Sequence, residues 1–303
     1  MSLLEKKPST GRGEPNVAAL LTLFVPGLGH LYMGRVAFGV AAFLVVEGVF
    51  VLGYLLSGGL TFAFLDPELR GRFAILLTPE VGNLGGLLMQ FRLEGFGPEQ
   101  NGKPIPVPWP EHMRLGTTLT ALSGLLNVCL MCQAHLHARF RREELQRTVS
   151  PAVQVACAWA VPGLGHLLQG RFLRGLLVFG LLFGLFLWGT ELADYSNLSR
   201  ERHFYYWAGQ FLVGLPAIAF EHLVGDRPVT APIEYADVGL LFGCVAGLLN
   251  VLAMLDVYGH AEARVRGELP AATASAEPRD AGAEAAPGEP AALAGQREER
   301  SPV

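Results

Sequence analysis

The chain has 303 residues, of which 51% are apolar and only 17% charged, a balance that suits lipid-facing helices better than a soluble core. Its net charge of −4 is carried by the last stretch: from Glu268 to Val303 there are seven acids against three arginines, which leaves residues 1–267 neutral. That Ala-, Pro-, Glu- and Gly-rich tail holds almost no large apolar side chain, so it is expected to be disordered. No nucleic acid is expected as a partner; the lipid bilayer is.

In chain order, residues 1–15 form a short N-terminus expected in the cytoplasm and 17–25 an apolar run too short to cross a bilayer. The run ends in Val25-Pro26-Gly27-Leu28-Gly29-His30-Leu31, and Gly34-Arg35 follows. Pro26 should break the helix, Gly27 and Gly29 should let the backbone turn tightly, and Arg35 can snorkel to headgroups as the next helix begins. Residues 36–56 make the first spanning candidate, with Glu47 in mid-span. The run 73–91 carries Pro79 and three glycines and reads as an interfacial helix or an imperfect span. Residues 116–137 are the second spanning candidate, with Asn127 inside it.

After a basic link at 139–150 the pattern starts again. Residues 152–161 lead into Val161-Pro162-Gly163-Leu164-Gly165-His166-Leu167 and then Gly170-Arg171. The span candidate 175–188 with its flanks, the interrupted run 205–220 and the span candidate 238–258 follow in the same order. Gly124-Leu125-Leu126-Asn127-Val128 returns as Gly247-Leu248-Leu249-Asn250-Val251. The fold class is therefore all-α: a polytopic membrane protein of two tandem helical modules (16–138 and 151–263), each with a broken or re-entrant helix and at least two spans, before the tail at 264–303. A cleaved signal peptide does not fit, because the N-terminal segment recurs in mid-chain.

Lys6, Lys7 and Arg12 precede the first module, Arg139, Arg141, Arg142 and Arg147 fill the link, and Arg264 and Arg266 follow the second. The positive-inside rule then puts both termini and the link in the cytoplasm, so the modules cross an even number of times and are parallel repeats.

The motif glycines lack the spacing of a phosphate loop, and no cofactor is expected. His30 and His166 read first as structural histidines. Cys129, Cys132, Cys157 and Cys244 lie in apolar segments and read as small hydrophobes, with no metal site. Asn127 and Asn250 read as polar glue between helices, worth about 0.6–2 kcal/mol each. Aligning the two asparagines puts Gln133 on Asp256 and His137 on His260; Asp256 is expected to pair with Arg35 or Arg171. Glu111 and Glu234, each five residues before a glycine, read as acids at outer helix N-termini. Glu47, aligned with Phe183, must find a partner or stay neutral, or else take a proton or cation. Gly180 and Gly184 form a small-x-x-x-small face expected inside the bundle, and Tyr205, Tyr206, Trp207 and Trp109 read as aromatic anchors at the outer interface.

With these residues in view, the modules resemble the two-transmembrane-helix domain family, in which a Gly-x-Gly turn leads to Gly-Arg or Gly-Lys, a span, and a last helix with Asp near its end. PGLGHLYMGR and PGLGHLLQGR carry the first part, and Asp256 the last, where Gln133 departs from it. The doubled form with GLLN resembles an uncharacterised group of bacterial membrane proteins over most of residues 16–262. The resemblance implies membrane architecture and no reaction. The expected function is a scaffold or accessory subunit of the bacterial inner membrane, with a membrane-protein partner or a homo-oligomer; the alternative is a small-solute or ion transporter using Glu47, Asn127 and Asn250. No catalytic residue is expected.

Overall fold

The computed structural model describes residues 13–63, 65, 74–93, 99–101, 103–105, 107–140, 145, 149–225 and 229–269. Lys6, Lys7, Arg12, Arg141, Arg142, Arg147 and nearly all of the acidic tail lie outside them, as do the expectations attached to them.

The first module begins with α1 (Pro15–Phe24), opened by Pro15 at its first turn and ended by extended Val25 ahead of Pro26. Gly27, at φ 80°, reverses the chain into the single turn α2 (Leu28–Tyr32). A Cβ there would also overlap the carbonyl of Gly39, so glycine is required twice over. Arg35 then caps the long helix α3 (Val36–Leu56). Two 3₁₀ turns (Ala74–Leu77 and Pro79–Gly82) lead to α4 (Leu84–Leu93), a two-residue hairpin pairs Glu99–Gln100 with Lys103–Pro104, and α5 (Met113–Arg139) closes the module.

The second module repeats this plan. Helix α6 (Pro151–Ala160), a turn at Gly163 (φ 84°) against the carbonyl of Gly175, α7 (Leu164–Leu168) and α8 (Phe172–Leu192) come first. A short 3₁₀ turn, α9 (Phe204–Phe211), α10 (Leu215–Val224) and α11 (Ala236–Val265) follow. Helices α3, α5, α8 and α11 are long and apolar enough to cross a membrane. The runs 73–91 and 205–220 are instead divided into short elements by their prolines and glycines, and among the described residues neither contains a helix long enough to cross a membrane.

In each module the two long helices cross where glycines face one another. A Cβ on Gly53 would lie 2.6 Å from the Gly116 carbonyl oxygen, and one on Gly189 2.7 Å from that of Gly239. Without water to drive association, such close backbone approach is what holds membrane helices together. Helix α1 runs from the basic end, where Ala18 packs on Ala134 and Ala138, to the middle of α5, and α2 turns back. This is the re-entrant hairpin that Pro-Gly-x-Gly predicts.

The modules join through a core of Ala121 and Leu125 on α5, Val155, Ala158 and Trp159 on α6, Trp207 and Phe211 on α9, and Met254 and Val257 on α11. Helices α5 and α11 run in the same direction, and repeat-equivalent positions meet: His135 Nδ1 lies 2.8 Å from Tyr258 OH, and one turn on Arg139 pairs with Glu262. Equivalent residues facing each other are the mark of an approximate two-fold axis along the helices, so the repeats are parallel.

Candidate functional site

Among the polar groups buried in this apolar bundle are three sets: one in mid-span of each module, one at the basic end of each module, and one at the opposite, loop end of the seam between modules; a further buried network joins Asn197 to Thr190 and Gln210 within the second module.

In mid-span, Asn127 is wholly buried, and its Nδ2 donates to the carbonyl of Thr22 at 2.7 Å and to that of Gly82 at 3.0 Å. Thr22 belongs to the hairpin that enters from the basic end, and Gly82 to the 3₁₀ turn that comes from the loop end. One amide thus joins two short segments where their backbones, broken by Pro26 and Pro79, have carbonyls to spare. Asn250 does the same, donating to Leu212 at 2.9 Å and to Ala158 at 3.3 Å. The adjoining glycines, Gly124 and Gly247, let the Pro79 and Gly209 carbonyls approach the long helices. Glu47, half-buried on α3, faces the side chain of Asn83 at the same meeting point.

At the basic end of the second module, Asp256 accepts from Arg171 at 2.7 Å and from Arg174 at 3.0 Å, and its Oδ2 lies 3.1 Å from His166 Nε2. The ring of His166 is fully buried; burial and the charge of Arg171 outweigh Asp256 and push its pKa below the usual value. Gln169 continues the network, donating to Gln154 and to the Val257 carbonyl, each at 2.8 Å, while Arg264 donates to the backbone carbonyl of Gln169 at 2.7 Å. The expected pairing of Asp256 thus falls to Arg171, joined by Arg174 on the next turn.

The first module differs. His30 is also fully buried, but neither ring nitrogen has a hydrogen-bond partner among the described residues. Its ring packs against Phe38 at 4.7 Å and stands 6.3 Å from His137, centroid to centroid. Arg35 lies over the same Phe38 ring at 4.8 Å. Burial, with the charges of Arg35 and His137, pushes the His30 pKa down to about 4, so the ring is neutral at ordinary pH.

The third set was not singled out from sequence. Arg200, 1% exposed, donates to Glu80 at 2.8 Å and to the Thr117 carbonyl at 3.1 Å, and stacks over Trp207 at 4.6 Å. Glu80 also accepts from Thr120 at 2.8 Å. The Trp207 indole N–H donates at 2.8 Å to Glu221, whose pKa burial raises to about 7. An acid inside the apolar run 73–91 was the available signal; its partner lies 120 residues away and has no local signature.

Three expectations are corrected here. Trp207 is buried as the platform for Arg200, because a guanidinium removed from water needs a π face as well as a carboxylate; only Trp109 and Tyr206 of the expected anchors are exposed. Gly180 and Gly184 lie on the exposed side of α8 with nothing near a Cβ position, since the helix turns Gly175, Leu182, Phe186 and Gly189 inward instead. Glu111 and Glu234 do stand at helix N-termini, but each precedes its N-cap, His112 or Tyr235, by one residue, so it is the capping role alone that is corrected. Cys129 packs against the inter-module core, and among the described residues no group of three His, Cys, Asp or Glu is placed to hold a metal ion.

No curated protein and no solved structure matches the chain. One family model does, twice, over residues 17–144 and 153–268, one match to each half of the duplication. The chain therefore belongs to the family of unknown function DUF6677, of which it carries two copies in tandem.

Proposed function

We propose that this protein is a non-catalytic membrane scaffold or accessory subunit of the bacterial inner membrane, with a membrane-protein partner or a second copy of itself. The observation that carries the reading is the use made of the intramembrane asparagines. Asn127 and Asn250 both spend their amide N–H groups on backbone carbonyls of the two short segments they join, which is a structural task and leaves no donor for a passing solute. The motif residues Pro26, Gly27, Pro162 and Gly163 likewise serve turn geometry and close packing. Arg35, Arg139, Arg171, Arg174 and Arg264 gather at one end of the bundle, which supports placing that end in the cytoplasm.

Glu47 favours the transporter alternative, because an acid facing Asn83 where two broken segments meet is where a proton or cation step would be built. Purified full-length chain in proteoliposomes, assayed for proton, monovalent-cation and small-solute flux, decides between them. A scaffold shows none above empty vesicles. Flux that falls on Glu47→Gln replaces the scaffold with a transporter.

A further inference from the structure

Helix α10 is docked on the second module by two side chains: of its ten residues only Ala217 and Glu221 are buried, while Leu215 and Leu223 are exposed. Glu221 is 2% exposed, and its two oxygens are treated unequally. Oε2 accepts from the Trp207 indole N–H at 2.8 Å, whereas Oε1 has no hydrogen-bond partner among the described residues. Beside the carboxyl, between α10, α9 and the 3₁₀ turn at Ser196–Leu198, lies a cavity of about 10 Å³ walled by Leu198, Trp207, Phe211, Ala217 and Ile218. That is room for roughly one water molecule. Gln210 also lines it, but its amide is engaged with Asn197, donating to the backbone carbonyl at 3.0 Å and accepting from the side chain at 2.7 Å, and it makes no bond to Oε1 of Glu221.

We infer that Glu221 is a reversible proton-binding site that governs the docking of α10, holding the helix while the carboxyl is protonated and loosening it on ionisation. A neutral carboxyl asks little of this pocket, since Oε2 already accepts from Trp207 and a proton on Oε1 removes the charge. An ionised carboxylate needs several donors and has one. It gains more only by admitting water, and beyond roughly one molecule that hydration has to part α10 from α9. The charged groups around it do not reverse this. Arg200 is engaged with Glu80 and the Thr117 carbonyl, Arg114 reaches the Gly225 carbonyl at 3.4 Å just past the end of α10, Glu201 opposes ionisation, and the exposed His222 on α10 itself bonds the Ile218 carbonyl. Burial outweighs the attraction of the two arginines and raises the Glu221 pKa to about 7, so the site titrates near neutrality. Such a site is compatible with a scaffold and with a transporter.

The test uses full-length protein in maltoside micelles and follows hydrogen exchange of the α10 backbone amides across pH, corrected for the intrinsic rate, with α6 as the reference. A loosened helix lets the carboxyl regain its ordinary pKa, so corrected exchange in α10 rises about tenfold per pH unit between 4.5 and about 7 and levels off above, whereas that of α6 stays flat. The Trp207 indole N–H resonance shifts with a midpoint near pH 7, as its acceptor ionises. Glu221→Gln, neutral at every pH, removes both responses. Exchange in α10 that does not depend on pH, an indole resonance that does not move near neutrality, or either response persisting in Glu221→Gln overturns the assignment. If that variant does not fold, the wild-type protein decides alone: the plateau of exchange has to begin at the indole midpoint, and a mismatch overturns the assignment.

Discussion

The basic ends of the two modules are built on one backbone plan with opposite chemistry. Where the second module places Gln154, Gln169, Arg174 and Asp256 in a continuous hydrogen-bonded network, the first places Ala18, Met33, Phe38 and Gln133. Ala18 and Met33 pack into an apolar cluster with Ala134 and Ala138. The turn that carries the histidine is the same in both, with left-handed glycines at Gly27 and Gly34 matched by Gly163 and Gly170. The backbone motif therefore does not need the charges, and the charges on one copy are free to vary while Pro, Gly and Asn are held by geometry. In mid-span, by contrast, Asn127 and Asn250 make matching bonds to the two short segments that each joins, and the copies differ at Glu47, which is aligned with Phe183.

The largest break in this comparison should come at the loop end of the seam, where the modules share an ion pair. Arg200→Met leaves Glu80 buried without its cation and should destabilise the protein by about 3–5 kcal/mol, whereas Arg200→Met with Glu80→Met should recover most of the loss. Thermal unfolding in detergent measures both, and failure of the double variant to recover would show that Arg200 acts mainly through Trp207. Next, Asn127→Leu and Asn250→Leu should cost similar amounts, about 2 kcal/mol each, because each orphans two buried carbonyls. Unequal losses would mean that the mid-span equivalence is only geometric.

A smaller effect separates the basic ends. Asp256→Asn removes the negative charge that three partners share on a one-third exposed carboxylate and should cost about 1 kcal/mol, salt-dependent, while Gln133→Asn, the matching amide in the first module, should be close to neutral. Equal losses at the two sites would dissolve the distinction.

The pH dependence differs in sign between regions. Glu221 has its folded pKa raised from 4.5 to about 7, so the folded state holds the extra proton and stability falls as pH rises through that window. His30 has its folded pKa lowered from 6.5 to about 4, so the unfolded state binds the proton and stability rises with pH between those values. Glu221→Gln should flatten the decline toward pH 7 and leave the rise at acid pH in place, as unfolding midpoints across pH 4–8 will show.

The duplication, the all-α class, the four long helices, the break at each Pro-Gly and the importance of both asparagines were legible in the residues, because repeats, apolar length and helix-breaking chemistry are local or periodic properties. Glu47 was visible as an acid in an apolar run for the same reason. What only the tertiary structure decided was which partner each polar group meets and which way each helix faces. Glu80 and Arg200 are 120 residues apart, and Trp207 reads as an interfacial aromatic until the fold lays a guanidinium on it. Gly180 and Gly184 have the spacing of a packing face, but spacing is blind to rotation about the helix axis, and the contacts of α8 with α11 turn that face outward. Side-chain periodicity is written along the chain, whereas the choice of partner is made across it, by packing that brings distant segments to the same depth.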